Sequence, residues 1–397
     1  MIDLAKKEQI NRYLRKAVEE ISISGGQYEN LVGSYSAVGR FLSGQLEKQG
    51  FEVEIFPQGS VRLDTAVKPV AEEDDIDVDL VCEIKNLPLS WTQEMLKEVV
   101  GNCFKGSDRY RKMLKDERGG HRCWTLLYRE GTSQQYHMDI LPAVVAKNYG
   151  LLLESFDYAD YSKLAIYITD DRLDSYKTSR NREDWPKSNP FGYAKWFKSR
   201  CRQRIVESAR ESVAAVPKHE VSPSVLQDVI KLLKRHRDLM FDGDEDKPIS
   251  IIITTIAAQA YQGEDNLFDA LIGVINRMSK YVCSTVDNGR LVKKVFNPIN
   301  PKENYAIKWI NNPRMQVQFE KWLAATRNFA DDLSKGTMEG LQVGLESMCG
   351  RNASLQVFEA IGEETKKMRD SGTLKVGATG LLGTIGTSVQ AHNFYGE

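Results

Sequence analysis

Asp77 and Asp79 stand two residues apart in the run Asp75-Ile76-Asp77-Val78-Asp79-Leu80-Val81-Cys82. In a strand, residues two apart project from the same face about 7 Å from one another, so two carboxylates would share one side. Like charges this close repel and raise one another's pKa. The pattern is costly unless cations neutralise it or it lies in open solvent. Oxygen-only ligands suit Mg²⁺ or Mn²⁺. The chemistry that needs such a set is two-metal phosphoryl transfer: one ion lowers the pKa of an attacking hydroxyl and the other neutralises the leaving pyrophosphate. Two ions need more than two carboxylates. Asp139 is the candidate third, on a separate expected strand between the apolar Met138 and Ile140. The competing reading is a solvated acidic strand edge with an unrelated aspartate. The register is also open, because Asp75 and Asp77 could supply the pair. The apolar run Leu80-Val81-Cys82 after Asp79 favours Asp77 and Asp79, since it suits a strand descending into a core.

The elements that must position these residues follow from periodicity. Up to about residue 49, Leu31, Tyr35, Val38, Phe41, Leu42 and Leu46 recur at helical spacing, which predicts one long amphipathic helix. After Gly50 the period becomes two, and Phe51, Val53 and Ile55 alternate with Glu52 and Glu54 as in a half-exposed strand. That strand runs into Pro57-Gln58-Gly59-Ser60, a turn whose free backbone N–H groups and hydroxyl could receive a triphosphate. The acidic strand follows, with Ile76, Val78, Leu80, Cys82 and Ile84 on its apolar face. Residues 122–128, a turn at Glu130-Gly131-Thr132 and residues 134–141 read as a hairpin whose second strand carries Asp139. From about 150 to 190 the strand signals fade, and the lobe connection is placed there. Beyond it, Ser222 as N-cap and Pro223 at the first helical position introduce a helix with Val225, Val229 and Leu233 on one face. From Gly372 glycines recur every three residues among small ones, the composition of a mobile tail. The expected class is α+β, with a mixed β-sheet core over residues 1–185 including the N-terminal helix, an α-helical lobe over 186–370, and a tail over 371–397.

Composition narrows the function. The 397 residues are 41% hydrophobic and 27% charged, with a formal net charge of −1 that supplies no overall pull toward a polyanion. Polymeric nucleic acid is therefore not an implied partner. No apolar run is long enough to span a bilayer, and the charged N-terminus lacks a signal-peptide core, so a cytoplasmic protein is expected. Six cysteines without CxxC spacing fit reduced thiols. Five scattered histidines offer no HxxxH pair or catalytic triad; His137, on the face of Asp139, reads as structural or as a support to the acid. The absence of GxxxxGK[ST] removes a P-loop enzyme.

Gly-Ser, then Asp-Val-Asp, then a third Asp at a strand's end resemble the nucleotidyltransferase superfamily of polymerase β, poly(A) polymerase and CCA-adding enzymes. Phe56-Pro57-Gln58-Gly59-Ser60-Val61-Arg62, Thr65-Ala66-Val67-Lys68-Pro69 and Asp77-Val78-Asp79-Leu80-Val81-Cys82 narrow this. They look like the bacterial CD-NTases, relatives of cyclic GMP–AMP synthase and oligoadenylate synthetase. Further stretches, including Ser188-Asn189-Pro190-Phe191-Gly192-Tyr193, Leu233 to Asp238, Lys247-Pro248-Ile249-Ser250 and Asn297 to Asn304, extend the likeness along most of the chain. The resemblance implies a bilobed enzyme with an NTP cleft between its lobes, which joins NTPs, ATP among them, into cyclic or linear oligonucleotide signals with release of pyrophosphate, commonly in anti-phage defence; a cyclic di- or trinucleotide is the expected product. It implies Asp77, Asp79 and Asp139 as catalytic metal ligands. It also implies that Gln58, Gly59 and Ser60 contact phosphates, with Lys234 and Ser250 reaching the triphosphate from the helical lobe. For Lys234 the alternative is an ordinary solvated lysine, and for Ser250 a helix cap. Two other functions stay open, addition of nucleotides to an RNA end or a protein hydroxyl, and a non-catalytic nucleotide-binding scaffold. In part of the family an exposed tail is joined to a target by a defence-system partner, an idea that Glu397, in place of a terminal glycine, sets in doubt here.

Overall fold

The structure, a computed structural model, describes residues 3–70, 76–116, 118–128, 136–146, 164–201, 223–287, 289–377, 382–383 and 386–388. The chain divides into two compact units: Ile23–Ser224 with Asn297–Glu303, and Met1–Ser22 with Val225–Phe296 and Asn304–Glu397. The opening helical pattern is not one helix but two, α1 (Leu4–Ile21) and α2 (Gly25–Glu47). The break comes from a capping box. Ser24 Oγ accepts from the Gln27 N–H at 3.2 Å while Gln27 Oε1 accepts from the Ser24 N–H at 2.7 Å, which starts a new helix. The two helices belong to different units.

The unit holding the aspartates is built on a six-stranded mixed sheet: β1 (Val53–Gln58), β2 (Ile76–Ile84), β3 (Trp124–Tyr128), β4 (Tyr136–Val145), β5 (Ile166–Ile168) and β6 (Lys187–Ser188). The order is β1-β2-β4-β5-β6, with β3 also paired to β4. Only β2 and β4 run parallel, and the other pairings are antiparallel. One face carries Val53, Ile55, Val78, Leu80, Cys82, Trp124, Leu126, Met138 and Ile140 into the main core, with Leu31, Val38 and Leu42 of α2 and Leu96, Val100 and Phe104 of α4 (Gln93–Lys105). Gly101 is required in α4, because a Cβ there would lie 2.1 Å from the Trp124 ring. The other face carries a smaller apolar cluster, Phe56, Val81, Leu141, Ala143, Ile166 and Ile168. Phe191, from α5 (Pro190–Arg200), lies against Phe56 at 3.9 Å between ring centroids.

Both faces of β1 are thus covered, and β1 is buried rather than half-exposed; Glu54 is only 3% exposed and pairs with Lys85 at 2.8 Å. The sheet also runs further than its sequence signals, since β5 and β6 fall where a lobe connection was expected. Strands this short are missed because they are too brief to display a period. Pro190–Arg200 stays with the sheet, so the unit extends beyond residue 185. The hairpin turn at 130–132 and Asp75 lie outside the described residues.

The second unit is mainly helical. Its central helix, α6 (Val225–Met240), begins two residues after Pro223 rather than at it, and Ser222 lies outside the described residues. Around α6 stand α7 (Ser250–Ala260), α8 (Leu267–Met278), α9 (Pro313–Ser334) and α10 (Met338–Cys349), while α11 (Arg351–Asp370) packs against α1 and α10. The α1 helix joins this unit: its stripe Ile10, Leu14, Ala17, Val18 and Ile21 is buried. Arg15 pairs with the buried Asp228 of α6 at 2.9 Å, and Lys7 with Asp269 of α8 at 2.7 Å. In the expected tail, residues 375–376 pair with 382–383 and with 387–388, so this part is short strand rather than free chain. Residues 389–397 are outside the described set. All six cysteines are free thiols. Among the described residues no helix is long and apolar enough to cross a membrane.

Candidate active site

The pairing register lines up four side chains across the sheet. Gln58 of β1 stands opposite Asp79 of β2, Asp79 opposite Asp139 of β4, and Asp139 opposite Thr125 of β3. One pleat toward the start of the parallel strands, Asp77 stands beside His137. One pleat the other way, Phe56, Val81 and Leu141 form an apolar floor. Asp77 is exposed, whereas Asp79 and Asp139 are half-buried at the edge of that floor. The aspartates expected to act together are therefore brought to one face, with two of them directly paired.

At the end of β1 the chain turns into the single-turn helix α3 (Gly59–Arg62). Gly59 has φ of +65°, and a Cβ at that position would lie 2.1 Å from Asp79 Oδ2. Glycine thus supplies both a left-handed backbone and room for the carboxylate. Ser60, half-buried, follows in α3. Arg62 closes the turn with its guanidinium 4.4 Å from the Phe191 ring, and burial lowers its pKa to about 10, so it remains a cation at neutral pH. On the other flank, Thr125 Oγ1 donates to Asp139 Oδ1 at 2.6 Å. The Cys123 thiol is held above its ordinary pKa, first by burial and then by the negative charges of Asp139 and Asp79.

The segment leading into β3 is clamped. Lys97 of α4 is 1% exposed, donates to the Gly120 carbonyl and pairs with Asp171 at 2.9 Å. Arg122 and Arg172 both hold Asp170. Burial works against that carboxylate's charge, but the hydrogen bonds from Arg172 and Arg122 outweigh it and keep the group well below the usual carboxylate range. Glu303, in the segment that returns to this unit, accepts from Asn297 Nδ2 at 2.7 Å, and burial raises its pKa.

The donor set, three carboxylates on one face, fits a hard divalent cation in type and placement. Among the described residues, no three acidic, histidine or cysteine side chains already converge on one point. The reason is visible in the two paired acids, which turn in opposite directions: Asp79 lies against Gly59 on the β1 side and Asp139 is held by Thr125 on the β3 side.

Lys234 and Ser250 both lie in the helical unit. Lys234 is 5% exposed, which removes the reading of an ordinary solvated lysine. Ser250 is the first residue of α7, with Ile249 at the cap position, so it is not the helix cap. Its hydroxyl accepts from Arg237 Nη1 at 3.0 Å. Sequence reasoning missed Thr125 and Cys123. The only signal for them is their strand alternation with Trp124 and Leu126, which places them on the aspartate face once the hairpin register is known.

A mixed sheet that sets two acids of one strand beside a third on its parallel neighbour, next to a Gly-Ser turn, defines a nucleotidyltransferase catalytic unit. Residues 9–172 match the Second Messenger Oligonucleotide or Dinucleotide Synthetase domain. Over 402 residues the chain is 28% identical to the c-di-GMP synthase of Roseivirga ehrenbergii, covering 98% of both chains. Its fold is similar to that of the Bradyrhizobium diazoefficiens CD-NTase CdnG, solved in complex with GTP, with a TM-score of 0.64 and 21% identity over 89% of this chain and 99% of that one. It is also similar to CdnC of E. coli MS115-1, solved with ATP, with a TM-score of 0.56 and 16% identity over 85% and 96% of the two chains. The chain is thus similar along its length to the bacterial CD-NTases, and the matched domain together with the cyclic dinucleotide synthases among its relatives supports a nucleotidyltransferase that joins nucleoside triphosphates into a cyclic second messenger. The expected α+β class, with a mixed sheet and a helical C-terminal region, holds.

Proposed function

We propose that this enzyme condenses two molecules of GTP into a cyclic guanine dinucleotide with release of two pyrophosphates, as a signal in bacterial anti-phage defence. The observation that carries the chemistry is the pairing of Asp79 with Asp139 in register on the parallel strands, beside the Gly59-Ser60 turn. The choice of guanine rests on the relative named a c-di-GMP synthase, which aligns along essentially the whole chain.

In each of two successive steps a ribose hydroxyl oxygen bonds to the α-phosphorus of a triphosphate and the bond from that phosphorus to the β-phosphate bridge oxygen breaks. Asp139 receives the hydroxyl proton, and pyrophosphate leaves with the bridging oxygen. In the first step the partners are two nucleotides; in the second they are the two ends of the linear intermediate, which closes the ring. Asp77, Asp79 and Asp139 would hold the divalent cations, Mg²⁺ or Mn²⁺. When bound, these supply charge neutralisation at the phosphates and a lower pKa at the attacking hydroxyl. Gln58, Gly59 and Ser60 line the phosphate side, where the turn's backbone N–H groups and the serine hydroxyl are donors. The floor of Phe56, Val81 and Leu141 keeps water from beneath the carboxylates and so strengthens electrostatic interactions above it.

The test is incubation of purified protein with each NTP alone and in mixtures, with Mg²⁺ or Mn²⁺, then phosphatase treatment and mass spectrometry. GTP alone should yield a phosphatase-resistant cyclic dinucleotide, and Asp77→Ala, Asp79→Ala and Asp139→Ala should each yield none. A product that needs ATP or a pyrimidine nucleotide would refute the guanine assignment. Turnover that survives Asp79→Ala would refute the site.

A further inference from the structure

We infer that Thr125 is a positioning residue for the reaction, acting through Asp139. The inference rests on the proposed role of Asp139. Thr125 stands directly opposite Asp139 in the β3–β4 register and donates its only proton to Oδ1 at 2.6 Å, the short distance of a hydroxyl bound to a carboxylate. That bond fixes the carboxylate's rotation and occupies one oxygen on the β3 side, leaving Oδ2 as the oxygen not engaged by Thr125.

The backbone that carries the hydroxyl is anchored independently of the site. From the far side of β3, the Lys115 N–H donates to the Thr125 carbonyl at 2.9 Å and the Leu127 N–H donates to the Met113 carbonyl at 2.7 Å. Trp124, the preceding residue, is fully buried and its indole N–H donates to the Lys97 carbonyl at 2.8 Å. Thr125 therefore cannot drift with Asp139, and it sets where the acid points.

The fold itself does not ask for a hydroxyl there. Trp124 and Leu126 carry the strand's core contacts, while Thr125 is half-buried on the opposite face, where any β-branched residue would satisfy the strand. This separates the two roles. Thr125→Val keeps the shape and removes the donor; Thr125→Ser keeps the donor and removes the methyl group.

Groups that orient a metal-holding side chain typically change metal affinity or activity by about 10–100-fold when removed. Thr125→Val should therefore lower kcat by about 10–100-fold, leave the KM for GTP within about threefold, and weaken Mn²⁺ binding by a similar factor. Mn²⁺ binding is read by electron paramagnetic resonance on the full chain with a non-hydrolysable GTP analogue. Its thermal midpoint should stay near that of the parent, and Thr125→Ser should restore both kcat and Mn²⁺ affinity to within about threefold. Parent-like kcat and Mn²⁺ affinity in Thr125→Val would overturn the inference, as would a serine variant as impaired as the valine one. Asp139→Ala, run alongside, separates the two levels. If it is inactive while Thr125→Val is parent-like, only this inference fails; if it is active, the site reading fails first.

Discussion

Replacing Gly59 by alanine probes the most crowded point of the site. An alanine Cβ would be built 2.1 Å from Asp79 Oδ2, whereas ordinary contact begins at 3.4 Å, so the carboxylate must retreat by about 1.3 Å. The backbone also resists, because φ is +65° and an L-residue in the left-handed region costs roughly 1–2 kcal/mol. The two effects have different readouts. The backbone term lowers the thermal midpoint of the sheet unit by roughly 2–8 °C, since a unit of this size loses about 2–4 °C per kcal/mol. The displacement acts on catalysis, where an error of about 1 Å in a reacting geometry costs on the order of 100-fold. Initial rates of cyclic product formation from GTP, measured well below the Gly59→Ala thermal midpoint, should thus fall by about two orders of magnitude while most molecules remain folded. A rate within about threefold of the parent would show that Asp79 need not hold its place against the turn, and the site geometry argued above would be wrong.

Other expectations test the frame around the site. Gly33 in α2 has nothing within 4 Å of an added Cβ and no positive φ, so Gly33→Ala should stabilise by about 0.5–1 kcal/mol in urea unfolding without changing turnover. Lys97→Met should destabilise the sheet unit by about 2–4 kcal/mol, because it removes the buried partner of Asp171 and the Gly120 carbonyl; a loss below about 0.5 kcal/mol would mean that the clamp is dispensable. His236, buried against Phe329, has its pKa lowered to about 4 by burial, so the folded helical unit favours the neutral ring. Its contribution is complete above the unfolded value of about 6.5 and is lost as pH falls from there to about 4, a change of roughly 3 kcal/mol. His236→Gln should flatten stability across that window in urea titrations followed by circular dichroism, and an unchanged slope would assign the pH dependence to other groups.

The candidate acids were more legible in the chain than the architecture around them. Asp77 and Asp79 were readable because period-two alternation puts charge where the opposite face is unbroken apolar, and Asp139 because an acid between Met138 and Ile140 needs a reason. The same alternation could not tell that β1 is covered on both sides. That depends on Phe191, which arrives from 135 positions further along the chain. The split of the opening helix was written in Ser24 and Gln27, but apolar residues recur at helical spacing on both sides of it, from Ile10 to Ile21 and from Tyr28 to Leu46, and concealed it. The assignment of α1 to the helical unit depends on pairings with Asp228, Asp269 and Glu364, all more than 200 residues away, which no local pattern encodes. Thr125 was invisible for a related reason: a threonine in a strand is unremarkable until the register sets it opposite Asp139.

Residues that never meet a substrate fix the spacing of the acids. In the β2–β4 register Val78 pairs with Met138 and Leu80 with Ile140, all four buried in the main core. A slip of one residue would turn Met138 and Ile140 out of that core and drive Asp139 into it. The slip would forfeit about 1.5–3 kcal/mol for each apolar side chain and add the larger penalty of a buried carboxylate. A slip of two preserves the faces but destroys the level arrangement. In one direction it sets Asp139 beside Val81 on the apolar floor; in the other it sets Leu141 beside Asp79 and opens that floor. Only the observed register keeps acids level with acids and the floor level with itself. A unit whose core is intact is therefore a unit whose candidate carboxylates are correctly spaced, and the freedom left to them is side-chain orientation, against which Gly59 stands on one side and Thr125 on the other.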